Sequence, residues 1–342
     1  MTTQRSPNVV GPLYDWAFFL LPPVVALLIG IAIQGTPFSS SRIEVLGRPT
    51  TLATLLLGTL VHAHLVAVFF RSYGNAQVWR LHRLRFIVAP VLLFAAIRSS
   101  PVAGAAALVL ATAWDVWHSG AQTFGLARIY DRNAGNAPEV GRRLDFWLNQ
   151  LLYAGPILAG VTMLDHVSGL ESLEEAGVTA FTRVPGFMTQ THHWWTAGVV
   201  VGGTAYLTVY VGWYWLQHRR GYRVSPYKVV LLVSTGVCSL YAWGFDSWGQ
   251  AFFIMNLVHA LQYLALVWAT EHRVLGDRLG LSRFRFGKAL TLVLFVGIAV
   301  GYGAWAQLLD PDLDDLWAAT IVVSLLHFWY DGFIWSVRRA QV

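Results

Sequence analysis

The 342-residue chain is 56% hydrophobic and 12% charged, carries a net charge of +6 and has a mean hydropathy of +0.51. A soluble domain holds about 25% charged residues, so a water-facing surface cannot be covered, and disorder, collagen and coiled coil fall for the same reason. The single cysteine, Cys238, excludes a disulfide framework and a CxxC metal site. What remains is an all-α, polytopic bundle, read as one integral membrane domain over 1–342.

Apolar runs of about 17–25 residues are long enough to cross the hydrocarbon core as helices. Ten occur in chain order: 16–34, 51–70, 84–98, 102–126, 145–164, 191–216, 227–244, 249–270, 287–308 and 313–336. The third is short and contains Pro90. Span 1 has a weak basic start, a Pro22-Pro23 pair and no small-residue cleavage site, so it reads as retained rather than as a signal peptide. Lys and Arg gather in cytoplasmic loops. With both termini inside, 20 of the 24 basic residues fall on the cytoplasmic side, from Arg5 to Arg338 and Arg339, while Glu44, Asp165, Glu171, Glu174, Glu175, Asp246, Asp310, Asp312, Asp314 and Asp315 fall outside. Orientation in a cell membrane beside anionic lipid therefore accounts for the pI near 9.6 without nucleic acid.

Among few polar groups, 11 histidines stand out. His82, His166, His218 and His272 fall in expected loops; the others lie in or at apolar spans, where an ionisable group usually marks a pathway or site. His62, His64, His118, His259 and His327 precede the first cytoplasmic basic residue of their spans by 7 to 14 residues. That is roughly 10–21 Å at the helical rise, near the middle of a core about 30 Å thick. Four helices running in one direction thus deliver histidine to one layer.

Residues three and four apart share a helix face. Asp115, His118 and Gln122 form one stripe; Asn256, His259, Gln262 and Tyr263 form a second; His327 and Asp331 form a third. Asp115 and Asp331 are the two carboxylates expected within the core, each one turn from a histidine. His62 and His64 point about 200° apart on a regular helix, so one is a ligand while the other serves another shell or site, unless the helix is distorted. His192 and His193 open span 6 at the outer boundary and join the layer only if the preceding segment folds inward. Trp114, Trp117, Trp329 and Tyr330 flank the stripes, as core packing or as the wall of a substrate pocket.

Imidazole with carboxylate suits iron, copper, zinc or manganese, and the lack of thiolates disfavours iron–sulfur clusters. The expected metal ligands are His118, His259, His327, His62, His64 and Asp331, then His192 and His193. Asp115, Gln122 and Gln262 are expected to orient ligands or substrate. This pattern points to an integral-membrane metalloenzyme using non-haem iron, one ion or two, with copper or zinc as alternatives. Its partners would be dioxygen, a hydrophobic or lipid substrate reached from the surrounding membrane lipids, and an electron donor. A haem electron-transfer protein is the second class, but two histidines about two turns apart on each of two helices are missing. A transporter or proton relay is the third, without paired broken helices in matching halves. An opsin-like receptor lacks its lysine, since Lys228 and Lys288 lie at helix edges.

The histidine-dense, many-helix plan resembles the membrane non-haem iron oxygenases and desaturases. In depth of site it is nearer to the Brp/Blh carotene-cleaving enzymes than to the fatty-acid desaturases, whose HxxxH and HxxHH boxes do not occur here. The likeness is one of architecture and residue type, and it implies an oxidative reaction.

Overall fold

Apolar runs punctuated by Pro, Gly and charged residues become helices along nearly the whole chain. The computed structural model describes residues 6–174, 177–309 and 314–335. The principal helices are α1 (Pro22–Ile33), α2 (Leu52–Ser72), α3 (Ala76–Ser99), α4 (Pro101–Asn133), α5 (Arg142–Ala159), α6 (Met163–Ser168), α7 (Val184–Arg219), α8 (Pro226–Phe245), α9 (Trp248–Arg278), α10 (Gly287–Leu308) and α11 (Asp314–Ile334). A hairpin of β1 (Ile43–Val45) and β2 (Arg48–Thr50) pairs antiparallel, Ile43 opposite Thr50.

Local chemistry sets the helix starts. The Thr51 hydroxyl accepts from the Thr54 N–H to cap α2, and the Asn75 side chain accepts from the Gln77 N–H to cap α3. Proline begins α4 and α8, where its missing N–H costs nothing. His82, expected in a loop, instead sits inside α3 at a kink with φ −126° and ψ 15°. His218 likewise lies on the last turn of α7, and His272 lies inside α9 six residues before its end, because both helices run past the apolar stretch.

Among the described residues, six helices, α2, α7, α8, α9, α10 and α11, are long and apolar enough to cross a membrane. Two bent pairs, Pro12–Leu20 with Pro22–Ile33 (45°) and Arg142–Ala159 with Met163–Glu174 (94°), raise the number to eight if each is one span. Helices α3 and α4 cover the expected spans 84–98 and 102–126 without joining that set. Arg5, Arg338, Arg339, Glu175, Asp310 and Asp312 lie outside the described residues.

Contacts gather the chain into two units, one of residues 6–30 and 115–255, the other of 31–114 and 256–335. In the first, α5 packs against α7 and α8. Leu151 and Leu152 fill the spaces left by Gly203 and Gly236. Along the whole of α7 the buried residues are Pro185, Met188 and Gly203, as befits a lipid-facing helix. In the second unit α10 lies along α2, and α11 packs on α2 and α3. The first contact is backbone on backbone, since a side-chain carbon at Gly303 would come within 2.1 Å of the Thr59 carbonyl oxygen. Leu65, Val68, Phe86, Tyr263, Val267, Leu325 and Tyr330 form the core of this unit.

Candidate metal centre

Three helices of the second unit each bring one histidine to a common point. His64 on α2, His259 on α9 and His327 on α11 are 0%, 1% and 0% exposed. One ring nitrogen from each lies within 4.8 Å of the others. The ring centroids are 4.9 Å apart for His64 and His259, 5.1 Å for His64 and His327, and 6.5 Å for His259 and His327.

The hydrogen bonds around these rings fix what they offer. His327 Nδ1 is 3.0 Å from the Leu65 carbonyl oxygen, which can only accept, so Nδ1 carries the proton and Nε2 presents its lone pair. A ligating imidazole is usually held in this way. Neither ring nitrogen of His64, both buried, meets a protein partner in ordinary hydrogen-bond geometry. A buried polar atom left so is costly unless a further species satisfies it.

Asp331, one turn beyond His327, has divided its carboxylate. Oδ1 accepts from the Tyr263 hydroxyl and the Trp335 indole N–H, each at 2.8 Å, and Oδ2 stands 3.8 Å from His327 Nε2. The Trp335 ring lies beneath the Arg71 guanidinium, 4.0 Å from its centroid. Arg71 pairs with the buried Glu271, whose second oxygen accepts from Asn75 at 3.1 Å. A continuous polar chain thus leads from the histidines to the ends of α2 and α9.

The remaining expected site residues divide between the two units. His62, on the opposite side of α2, stays out of the cluster, as the angular argument requires of one of the pair. Gln262 is buried on α9 one turn after His259. In the first unit, His118 is buried on α4, with Asp115 partly buried and Gln122 one turn further on. There too, His192 Nε2 donates to the Gly160 carbonyl at 3.1 Å, and the His193 ring packs on Trp194, 4.8 Å between centroids.

One expectation needs correction. Asp115 and Asp331 are not the principal buried carboxylates; Asp15, Asp131 and Asp145 are fully buried and Glu271 nearly so. In the first unit Asp131 and Asp145 each bond both Arg128 (2.5 Å) and Lys228 (2.8 Å), so Lys228, in the first turn of α8 as expected of a helix-edge residue, is also buried. Tyr210 and Tyr214 donate to Asp145 at 2.8 and 2.7 Å, and Tyr222 donates to Asp131. Burial, with the Asp131 charge beside it, pushes the Tyr222 hydroxyl well above its ordinary pKa. Gly141 makes room for this arrangement: its φ of +70° suits glycine, and a side-chain carbon there would sit 2.1 Å from the Tyr214 hydroxyl. The i, i+3 spacing of Arg128 and Asp131 was the available sequence signal.

Comparison with family models, with curated proteins and with solved structures returns no match to this chain. Its described residues form an all-helical protein with six to eight helices or bent helix pairs long and apolar enough to cross a membrane. More particularly, it is one whose second unit carries a buried three-histidine cluster.

Proposed function

We propose that His64, His259 and His327 bind a transition-metal ion within the membrane, and that the protein is a metal-dependent oxidoreductase acting on a lipid-soluble substrate. The observation that carries this reading is the convergence of three buried imidazoles from three helices, their nitrogens within 4.8 Å. The donor set fits a metal: neutral nitrogen ligands suit iron, copper or zinc, His327 is held with Nε2 unprotonated, and Asp331 Oδ2 stands nearby as a fourth ligand or a charge partner. When bound, such an ion supplies Lewis-acid or dioxygen chemistry, with non-haem iron the leading choice.

The residues around the site have separate tasks. Leu65 orients His327, Tyr263 and Trp335 orient Asp331, and burial of all three imidazoles keeps water from the site. A site enclosed at membrane depth favours a long-chain, polyene or isoprenoid substrate that arrives through lipid. We extend the proposal to a ten-span arrangement in the cell membrane with cytoplasmic termini, supported by the loop-charge asymmetry.

Detergent-purified protein tests the reading. Bound iron or copper, no Soret band, and dioxygen uptake dependent on an added polyene or isoprenoid are expected; a haem spectrum, or metal-loaded protein inert towards every such substrate, contradicts it.

A further inference from the structure

A second cluster, independent of the histidine centre, lies in the first unit where α8 turns into α9. His166 on α6, Trp243 near the end of α8 and Trp248 at the start of α9 form a triangle of rings. The centroids are 5.4 Å apart for His166 and Trp243, 5.7 Å for His166 and Trp248, and 5.5 Å for the two indoles. His166 Nε2 donates to the Trp243 carbonyl at 2.9 Å, and Asp165 accepts from the Trp248 backbone N–H at 2.5 Å, which pins α6 to the turn. Asp246 lies on that turn, between the two tryptophans in sequence.

Three polar atoms of this corner are buried and unpartnered: Asp246 Oδ2, His166 Nδ1 and Trp243 Nε1. Asp246 is 6% exposed and Trp243 2%. Because His166 Nε2 holds the proton, Nδ1 is an acceptor. The corner therefore offers two unused acceptors, one of them anionic, and one unused indole N–H. Among the described residues neither Asp165 nor Asp246 pairs with a Lys or Arg. A buried polar atom that meets nothing is costly; the His166 and Trp243 rings are in contact and Asp246 follows Trp243 by three residues, so the three unmet atoms belong to one corner of the fold.

We propose that this corner binds an ethanolamine unit. Its primary ammonium pairs with Asp246, donates to His166 Nδ1 and lies against the indole rings, whose faces attract cations; its oxygen, two carbons away, accepts from Trp243 Nε1. The turn joins two membrane-length helices, so it sits at headgroup level. Either a phosphatidylethanolamine headgroup or free ethanolamine presents this chemistry. A divalent ion would leave the indole N–H unmet, and a quaternary ammonium has no N–H for the acceptors.

Native mass spectrometry of the full chain in detergent, with equal phosphatidylethanolamine, phosphatidylcholine and phosphatidylglycerol, tests this, with free ethanolamine titrated separately. Two variants accompany it: Asp246→Asn removes the charge and Trp243→Phe removes the indole donor while keeping a ring. Wild-type protein should retain phosphatidylethanolamine at least tenfold over both other lipids, or bind free ethanolamine if the amine is the source. Asp246→Asn should abolish the preference and Trp243→Phe should reduce it several-fold, with thermal unfolding confirming that both variants fold. Equal retention of the three lipids together with no ethanolamine binding, calcium or zinc binding in its place, or an unchanged preference in Asp246→Asn would overturn the proposal.

Discussion

At the scale of single residues, tautomer and burial decide the chemistry. Asp331 touches His327 only at 3.8 Å and is itself held by Tyr263 and Trp335. Asp331→Asn should weaken metal affinity by about 10–100-fold, as outer partners of ligating histidines do, without abolishing binding; competitive chelator titration measures it. Asp246 is different in sign. Burial raises its carboxyl pKa above the ordinary range, so the ionised form destabilises the folded chain at neutral pH. That penalty disappears as pH falls through the raised value. In lipid-free detergent, Asp246→Asn should stabilise the protein at pH 7 by about 1 kcal/mol, and the gain should shrink on acidification; thermal unfolding across pH reads both. The depth count from the sequence places His62, His64, His118, His259 and His327 in one layer because helical rise converts residue number into height. It cannot separate His62 from His64 until the rotation of α2 is known, and it says nothing of the Leu65 carbonyl that sets the tautomer.

Helices place these residues, and their packing is where sequence reading falls short. All-helical architecture and most boundaries follow from run length, caps and proline. Partner choice does not, because it depends on close approaches such as Gly303 on the Thr59 backbone. Gly303→Leu should force α10 from α2 beside Ala63, between His62 and His64, costing about 1–3 kcal/mol by overpacking. Bound metal should fall with it, read by metal content and thermal unfolding together. The buried ion group of the first unit was equally hidden. Loop charges read as orientation signals when they are in fact paired inside, as Lys228 is with Asp131 and Asp145. Removing one member strands the rest, so Lys228→Met should destabilise by about 3–5 kcal/mol, whereas a lone surface lysine would show almost no effect.

For the molecule as a whole, a chain short of charge buries ion pairs in both units, Arg128 and Lys228 with Asp131 and Asp145 in the first and Arg71 with Glu271 in the second, and adds the three imidazoles in the second. Reporter fusions to both ends should locate them in the cytoplasm, and an extracellular C-terminus would remove the orientation argument. The histidine centre is most directly tested by metal stoichiometry in protein purified without added metal, compared with His64→Ala, His259→Ala and His327→Ala. Near one iron or copper ion per chain in the wild type, lost in each variant while thermal unfolding shows the fold intact, is the expected result. Metal-free wild-type protein, or variants that keep the full complement, would contradict a three-histidine centre.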